Sequence, residues 1–321
     1  MTLFPGLDQA FLDILDPFTA GDPDEAGVLW TNLSRPQIAQ ELLRRGFRVS
    51  VAVVSQLLKR HRLGRRKALK MLSLGEHAQR DRQFQIIHRY RAEYEQSPDP
   101  ILSMDTKHKE FLGLLFREGR IYTQKAKKAL DHDFPSSAQG VLYPHGLYDL
   151  KRNLGHLNLG LSHDTSRFAC DSASYWWESQ GRFAYPDARR LLLCCDGGGS
   201  NASNRYVFKY HLERLANRIG LEIRIAHYPP GCSKHNPIEH RFFPHVTRAC
   251  QGLLLTSLEV TCKAMAKAST RKGLKTTVHV LSGDYPTKEG YPDEYKDTMK
   301  IRFDEELPVW NYRAIPANCG S

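Results

Sequence analysis

L-L-L-C-C-D-G-G-G-S, residues 191 to 200, is the stretch whose reading decides the fold of this chain. Its apolar start reads as a buried strand. Asp196 then leaves the carboxyl end of that strand, and three glycines remove the side chains behind it. An acid at a strand end followed by bare backbone suits a metal ion or a phosphate. It equally suits a tight turn around Asp196-Gly197. The surrounding sequence has to choose.

Upstream, I-L-S-M-D (101–105) reads as another short buried strand that ends in an acid. F-L-G-L-L-F (111–116), the turn R-E-G-R and I-Y-T-Q (121–124) predict a hairpin. After an irregular stretch, Leu157, Leu159 and Leu161 alternate as a strand does. Residues 165–180 predict a helix with Trp176 and Trp177 in the core. A helix over 204–219, a strand over 222–227 and a helix from about 236 follow the strand at 191–195, and Pro244 should kink that last helix. The order β-β-β-α-β-α-β-α predicts an α/β, ribonuclease-H-like fold: a mixed five-stranded sheet in spatial order 3-2-1-4-5, flanked by helices.

That order makes the first and fourth strands neighbours, about 4.8 Å apart. Asp105 then lies beside Asp196, and Glu239, in the first turn of the helix after strand five, can supply a third acid. Carboxylates that close repel and raise each other's pKa unless a cation sits between them. Two divalent ions roughly 3.5–4 Å apart are the usual solution, and they catalyse in-line phosphoryl transfer. Oxygen-only ligands favour Mg2+, or Mn2+, over zinc. On this reading Gly197, Gly198 and Gly199 keep side chains away from a crowded phosphate and turn their amides toward it. Lys107, Asn236 and His240 flank the acids as supporting groups. The plain alternatives are a turn cap for Asp105 and a helix capping box, Asn236-Pro237-Ile238-Glu239, for the third acid.

Ahead of this region the chemistry is different. The 321-residue chain carries a net charge of +11, and its 41% hydrophobic and 25% charged content is that of a globular protein. No run of 18 apolar residues occurs, and M-T-L-F-P-G-L-D lacks the regions of a signal peptide. Seven scattered cysteines without a C-x-x-C pair fit a reducing compartment, so a cytoplasmic, nucleoid-associated protein is expected. From Arg44 to Lys70 there are ten Lys or Arg residues and no acid, a balance that calls for an anionic partner.

Within that segment, S-R-P-Q-I-A-Q-E-L-L-R-R-G predicts a helix capped by Ser34, with Ile38, Leu42 and Leu43 inward and Gly46 closing it. Ser50 caps a second helix with Val51, Val54, Leu57 and Leu58 inward. Two short helices about a glycine turn form a helix-turn-helix pattern. Ser55 and Gln56 are placed to read base edges. Arg44, Arg45, Arg48, Lys59, Arg60, Arg62, Arg65, Arg66 and Lys67 are placed to hold phosphates. Salt-sensitive binding to double-stranded DNA follows. The predicted organisation is an acidic segment and linker (1–30), the helix-turn-helix domain (31–70), a connector helix (71–98), the catalytic domain (99–290) and a tail (291–321).

Other chemistries fit less well. His227, Cys232, His235, His240 and His245 cluster in sequence, but no second pair completes a zinc-finger spacing. Ser200 has no G-x-S-x-G elbow, and no G-K-[ST] marks a nucleotide P-loop.

Three segments carry a resemblance: M-D-T-K-H-K-E-F-L-G, L-C-C-D-G-G-G-S-N and H-Y-P-P-G-C-S-K-H-N-P-I-E-H-R-F-F-P-H. They resemble the acid-bearing motifs of the Rhodopirellula-type DDE transposases of bacterial insertion sequences. Y-P-H-G-L-Y-D-L (143–150), H-D-T-S-R-F-A-C (163–170) and W-N-Y-R-A-I-P (310–316) extend the likeness over nearly everything from residue 100 onward. The resemblance implies that Asp105, Asp196 and Glu239 are a catalytic triad binding two magnesium ions. It implies hydrolysis at the element's 3′ ends, then attack of the freed 3′-hydroxyl on target DNA. It also implies a homo-oligomer acting on paired terminal inverted repeats. Members of the family usually carry more sequence ahead of the helix-turn-helix, so a shortened copy or an upstream start is expected. The alternative is a non-catalytic DNA-binding regulator or an inactive transposase relic.

Overall fold

The computed structural model describes residues 4–15, 19–21, 29–31, 33–64, 79–132 and 134–317. The chain divides into two compact units, Met1–Leu72 and Ser73–Ser321.

In the first unit, α1 (Leu7–Leu15) is followed by a small antiparallel pair, β1 (Thr19–Gly21) and β2 (Leu29–Thr31), and then by α2 (Arg35–Arg44) and α3 (Val51–Arg60). Ser34 forms a full capping box with Gln37, and Ser50 accepts the N–H of Val53. Phe11, Ile14, Ile38, Leu42, Val54 and Leu57 make the core. Leu43 and Val51, expected inside, are exposed, because α1 covers a narrower stripe than the sequence periodicity offered. The basic segment also has acidic neighbours that local sequence did not show. Asp8 pairs with Arg60 and His61, Asp13 with Arg45 and Glu41 with Arg44.

The second unit is built on one sheet. Its elements are α4 (Arg80–Glu95), β3 (Ile101–Thr106), β4 (Glu110–Leu112), β5 (Gly140–Asp149), β6 (Leu154–Gly160), α5 (Ser166–Trp176), α6 (Arg182–Ala184), β7 (Arg190–Asp196) and α7 (Tyr206–Ile219). They continue with β8 (Glu222–Tyr228), α8 (Pro237–Arg241), α9 (Phe243–Cys250), α10 (Leu258–Met265), β9 (Lys275–Leu281), α11 (Tyr295–Thr298), β10 (Ile301–Phe303) and β11 (Asn311–Ala314). The sheet runs β10-β11-β8-β7-β3-β5-β6-β9, with β4 paired to β5. Its centre, β6-β5-β3-β7-β8, is the ribonuclease-H-like order 3-2-1-4-5. Helices α5 and α7 cover one face through Phe208, Leu212 and Trp176. On the other face, α8 to α10 pack over β5, β6 and β9, and α4 packs over β7 and β8.

Four features differ from the sequence reading. The hairpin over 111–116 and 121–124 does not form. Residues 110–112 pair with the start of β5, and 121–124 are irregular and exposed. The second strand is instead the ten-residue β5, whose Pro144 and Gly146 disguised it as irregular. Helix α4 is no connector, since Ile86, Ile87, Tyr90 and Tyr94 are buried against the sheet. Residues 301–314 are no tail, because β10 and β11 extend the sheet beyond β8. The helix after β8 is interrupted at Phe242 (φ −127°, ψ −61°), two residues ahead of Pro244, where the expected kink falls, and Pro244 then opens the first turn of α9.

Candidate active site

The parallel pairing of β3 with β7 sets Met104 opposite Cys195. The next residue on each strand is an acid, so Asp105 and Asp196 emerge side by side at one sheet edge. Gly146 lies opposite Asp105 on β5. A Cβ there would stand 2.5 Å from Phe243 and 2.8 Å from Ile238, so the missing side chain is what lets α8 and α9 lie close to the sheet. The helix is then fixed by an unexpected cap. Asn236 does not cap α8 with its side chain. Ser103 Oγ accepts the Ile238 N–H at 2.9 Å and donates to Asn236 Oδ1, while Asn236 Nδ2 donates to Met104 O at 3.2 Å. The strand carrying the first acid thus caps the helix carrying the third. Glu239 is left free of the capping box and turns into the cleft.

That cleft, of about 380 Å³, is lined by Asp105, Thr106, Lys107, His108, Asp196, Ser233, Glu239, Phe243, Pro244 and Thr247. Asp105 is buried and its carboxyl is held well above the usual range. Burial is the largest cause, followed by the negative charge of Asp196, and Glu239 adds charge and a hydrogen bond. The Thr106 N–H opposes this by donating to Asp105 Oδ1 at 2.7 Å. Asp196 is raised by burial and by the charges of Glu239 and Asp164, against a Gly198 N–H that favours its ionised form. The three acids therefore share one electrostatic environment. Among the described residues no three His, Cys, Asp or Glu side chains already stand together as a metal cage. The acids line a common cleft and do not meet at a point. In kind the donor set fits a hard divalent cation: carboxylate oxygens only, crowded so that their negative charges repel unless a cation lies between them.

The supporting residues take specific places. Lys107 Nζ is paired with the buried Glu110, which also holds Arg117 at 2.6 Å. Gly199 adopts φ +59° and starts a tight 3-10 turn over 199–201, so the glycine run folds back beside Asp196 instead of continuing the strand. His240 is exposed and outside the cleft lining. The zinc grouping is absent among the described residues. His227 is buried and committed: its Nδ1 bonds Asp196 O at 2.8 Å and its Nε2 bonds the Tyr312 hydroxyl at 2.8 Å. Burial lowers its pKa to about 4.

Sequence reasoning did not single out Ser103, Thr106, Asp164 or Gly146, and it named His227 only within a possible zinc grouping. Ser103 had a signal, since a serine inside an apolar strand must find a partner when buried. Gly146 had one as well, as a glycine inside a strand often marks a close approach.

In the first unit, Gln56, Lys59, Arg48 and Arg62 are exposed. Ser55 is half-buried and tied to Val51 O at 2.9 Å and to Arg35. Arg44, Arg45 and Arg60 are engaged with acids as described above. Arg65, Arg66, Lys67 and Lys70 lie outside the described residues.

A ribonuclease-H-like sheet with acids ending its first and fourth strands, and a third on the helix after its fifth, defines a polynucleotidyl transferase or nuclease. The chain matches the Rhodopirellula transposase DDE domain over residues 10–316 and belongs to that family. Among solved structures it is similar to the Mos1 transposase paired-end complex with left transposon end, with a TM-score of 0.43 and 14% identity, over 80% of this chain and 68% of that one. The mariner Mos1 paired-end complexes with Mn and with Mg each give a TM-score of 0.41, at 16% and 14% identity, over 80% of this chain and 69% and 68% of theirs. Comparison with curated proteins gives no sequence match. No described helix is long and apolar enough to cross a membrane.

Proposed function

We propose that this chain is the transposase of a bacterial insertion sequence, and that it cuts the element's ends and joins the freed 3′-hydroxyls to target DNA. The observation that carries the reading is the register of β3 on β7, which puts Asp105 beside Asp196 in a cleft that also takes Glu239. These three carboxylates would hold two Mg2+ or Mn2+ ions. Bound there, the ions supply Lewis-acid activation of the attacking oxygen and charge stabilisation of the leaving one.

The protein's own part is positional. Ser103 and Asn236 fix the helix bearing Glu239 against β3. His227 holds the backbone at Asp196, and the folded glycine turn leaves room for a phosphodiester. Lys107 brings a cation to the cleft wall, where it can meet a phosphate oxygen. The exposed residues Arg48, Gln56, Lys59 and Arg62 of the helix-turn-helix, together with Arg65, Arg66 and Lys67, would grip double-stranded DNA at the terminal inverted repeats. A homo-oligomer would hold two ends together.

The test is end cleavage and strand transfer on a labelled terminal-repeat duplex with Mg2+, comparing the wild type with Asp105→Asn, Asp196→Asn and Glu239→Gln. Each variant should bind the duplex normally and lose at least about a thousandfold in cleavage rate, roughly 4 kcal/mol of barrier. Unchanged cleavage in Asp196→Asn would hand the case to a DNA-binding regulator.

A further inference from the structure

Asp164 stands in the segment between β6 and α5, within H-D-T-S (163–166), and it does not line the cleft. Its contacts nevertheless lead to both strand-end acids. Thr106 Oγ1 donates to Asp164 Oδ1 at 3.1 Å. The side chain of Ser200 lies close enough to the same carboxyl to favour its ionised form. Each of these hydroxyls sits next to one acid-bearing end. Thr106 follows Asp105 directly and its N–H holds the Asp105 carboxylate at 2.7 Å. Ser200 belongs to the turn at 199–201, whose Asn201 N–H closes on Gly198 O at 3.2 Å. The Gly198 N–H in turn favours the ionised form of Asp196. The start of α5 grips the same turn a second time, through Ser166 Oγ to Ser200 O at 2.7 Å. Ser166 and Ser200 are both buried, so these bonds do not compete with bulk water.

We propose that Asp164 is the positioning residue of this site: by bonding Thr106 while its near neighbour Ser166 holds Ser200, it sets the mutual orientation of the Asp105 and Asp196 carboxylates for a divalent cation. Two strand ends joined only by backbone pairing can splay beyond their last hydrogen bond. A third segment that bonds both removes that freedom. Groups that orient metal ligands from behind typically matter tenfold to a hundredfold in affinity, on the order of the ligands' own tuning.

The inference rests on the reading of Asp105 and Asp196 as cation ligands, and the experiment separates the two. Metal-free full-length protein without DNA is titrated with Mn2+, and the free ion is followed by electron paramagnetic resonance. Asp164→Ala should weaken Mn2+ binding about tenfold. Asp164→Asn should recover to within about threefold, because the amide keeps an acceptor for Thr106. Thr106→Val, which removes a single hydroxyl with little change of volume, should weaken binding in the same direction and covers the case of an Asp164→Ala protein that does not fold. Binding to a terminal-repeat duplex should be unchanged in all three. Wild-type Mn2+ affinity in Asp164→Ala, or in Thr106→Val if the alanine variant does not fold, overturns the proposal. So does an equal loss in Asp164→Asn and Asp164→Ala, which would mean that charge alone matters. Asp105→Asn is the control: if it binds Mn2+ as the wild type does, the ligand reading itself fails, whatever Asp164 does.

Discussion

Ser103 and Asn236 share a buried hydrogen bond that ties the helix bearing Glu239 to the strand bearing Asp105. The same Ser103 hydroxyl takes the otherwise orphaned N–H of Ile238. Ser103→Ala would leave both the N–H and the Asn236 oxygen buried and unmatched. The expected cost is about 1–3 kcal/mol of stability, read as a lower denaturation midpoint at unchanged slope. Cleavage should fall with it, since Glu239 loses its anchor.

Gly146 makes a second, purely steric prediction. A Gly146→Val side chain would have to occupy the space of the Phe243 ring and Ile238. Overpacking of this kind costs about 1–3 kcal/mol, and it pushes α8 away from the sheet edge. Since a displacement of about 1 Å at reacting groups is worth on the order of a hundredfold, end cleavage should fall far more than duplex binding. Equal losses in both would argue against a specific role in placing Glu239.

Acid should weaken the fold through buried imidazoles. His145 is fully buried, bonded to Ser172 at 2.8 Å beside Asn158, His156 and the Phe168 ring, and burial lowers its pKa to about 3. The unfolded chain takes up this proton below about pH 6.5, while the native protein stays neutral until about pH 3. A depressed histidine therefore contributes stability that is present above the unfolded pKa and lost as pH falls toward the folded one. Relative to His145→Asn, the wild type should lose up to about 1.4 kcal/mol per pH unit between those limits. Urea denaturation of both proteins at pH 7 and pH 5 measures it.

The helix-turn-helix cations should not be equivalent. Lys59 is exposed, whereas Arg60 is paired with Asp8. An exposed pair of this kind is worth little to stability, but Asp8 competes with a phosphate for the guanidinium. Lys59→Ala should lower the slope of log K against log salt by about 0.9, and Arg60→Ala by less. Gln56→Ala should shift sequence preference and leave the salt slope alone. Identical slopes for Lys59→Ala and the wild type would remove Lys59 from the interface.

Much of the site was legible because strands with an acid at the end leave a local mark. Asp105 and Asp196 each close a buried apolar run, and the strand order that makes them neighbours follows from the sequence of elements. Glu239 was legible as an acid but ambiguous in role, since Asn236-Pro237-Ile238-Glu239 is also a good capping pattern. In the structure α8 is capped from a residue more than a hundred positions away, which leaves Glu239 out of any capping box. The long strand β5 was not legible. Pro144 and Gly146 break its alternation, and both are there for reasons of packing and pairing that involve distant segments.

Periodicity, caps and strand-end acids thus marked the two acid-bearing strands, several of the helices and the carboxylates that are available, because those depend on neighbours within a few residues. That the three acids line one cleft was decided in three dimensions. A glycine had to clear space for a helix, a serine on a neighbouring strand had to cap it, and the 164–166 segment had to reach both strand-end loops. Such contacts pair residues distant in the chain, and no local pattern records them.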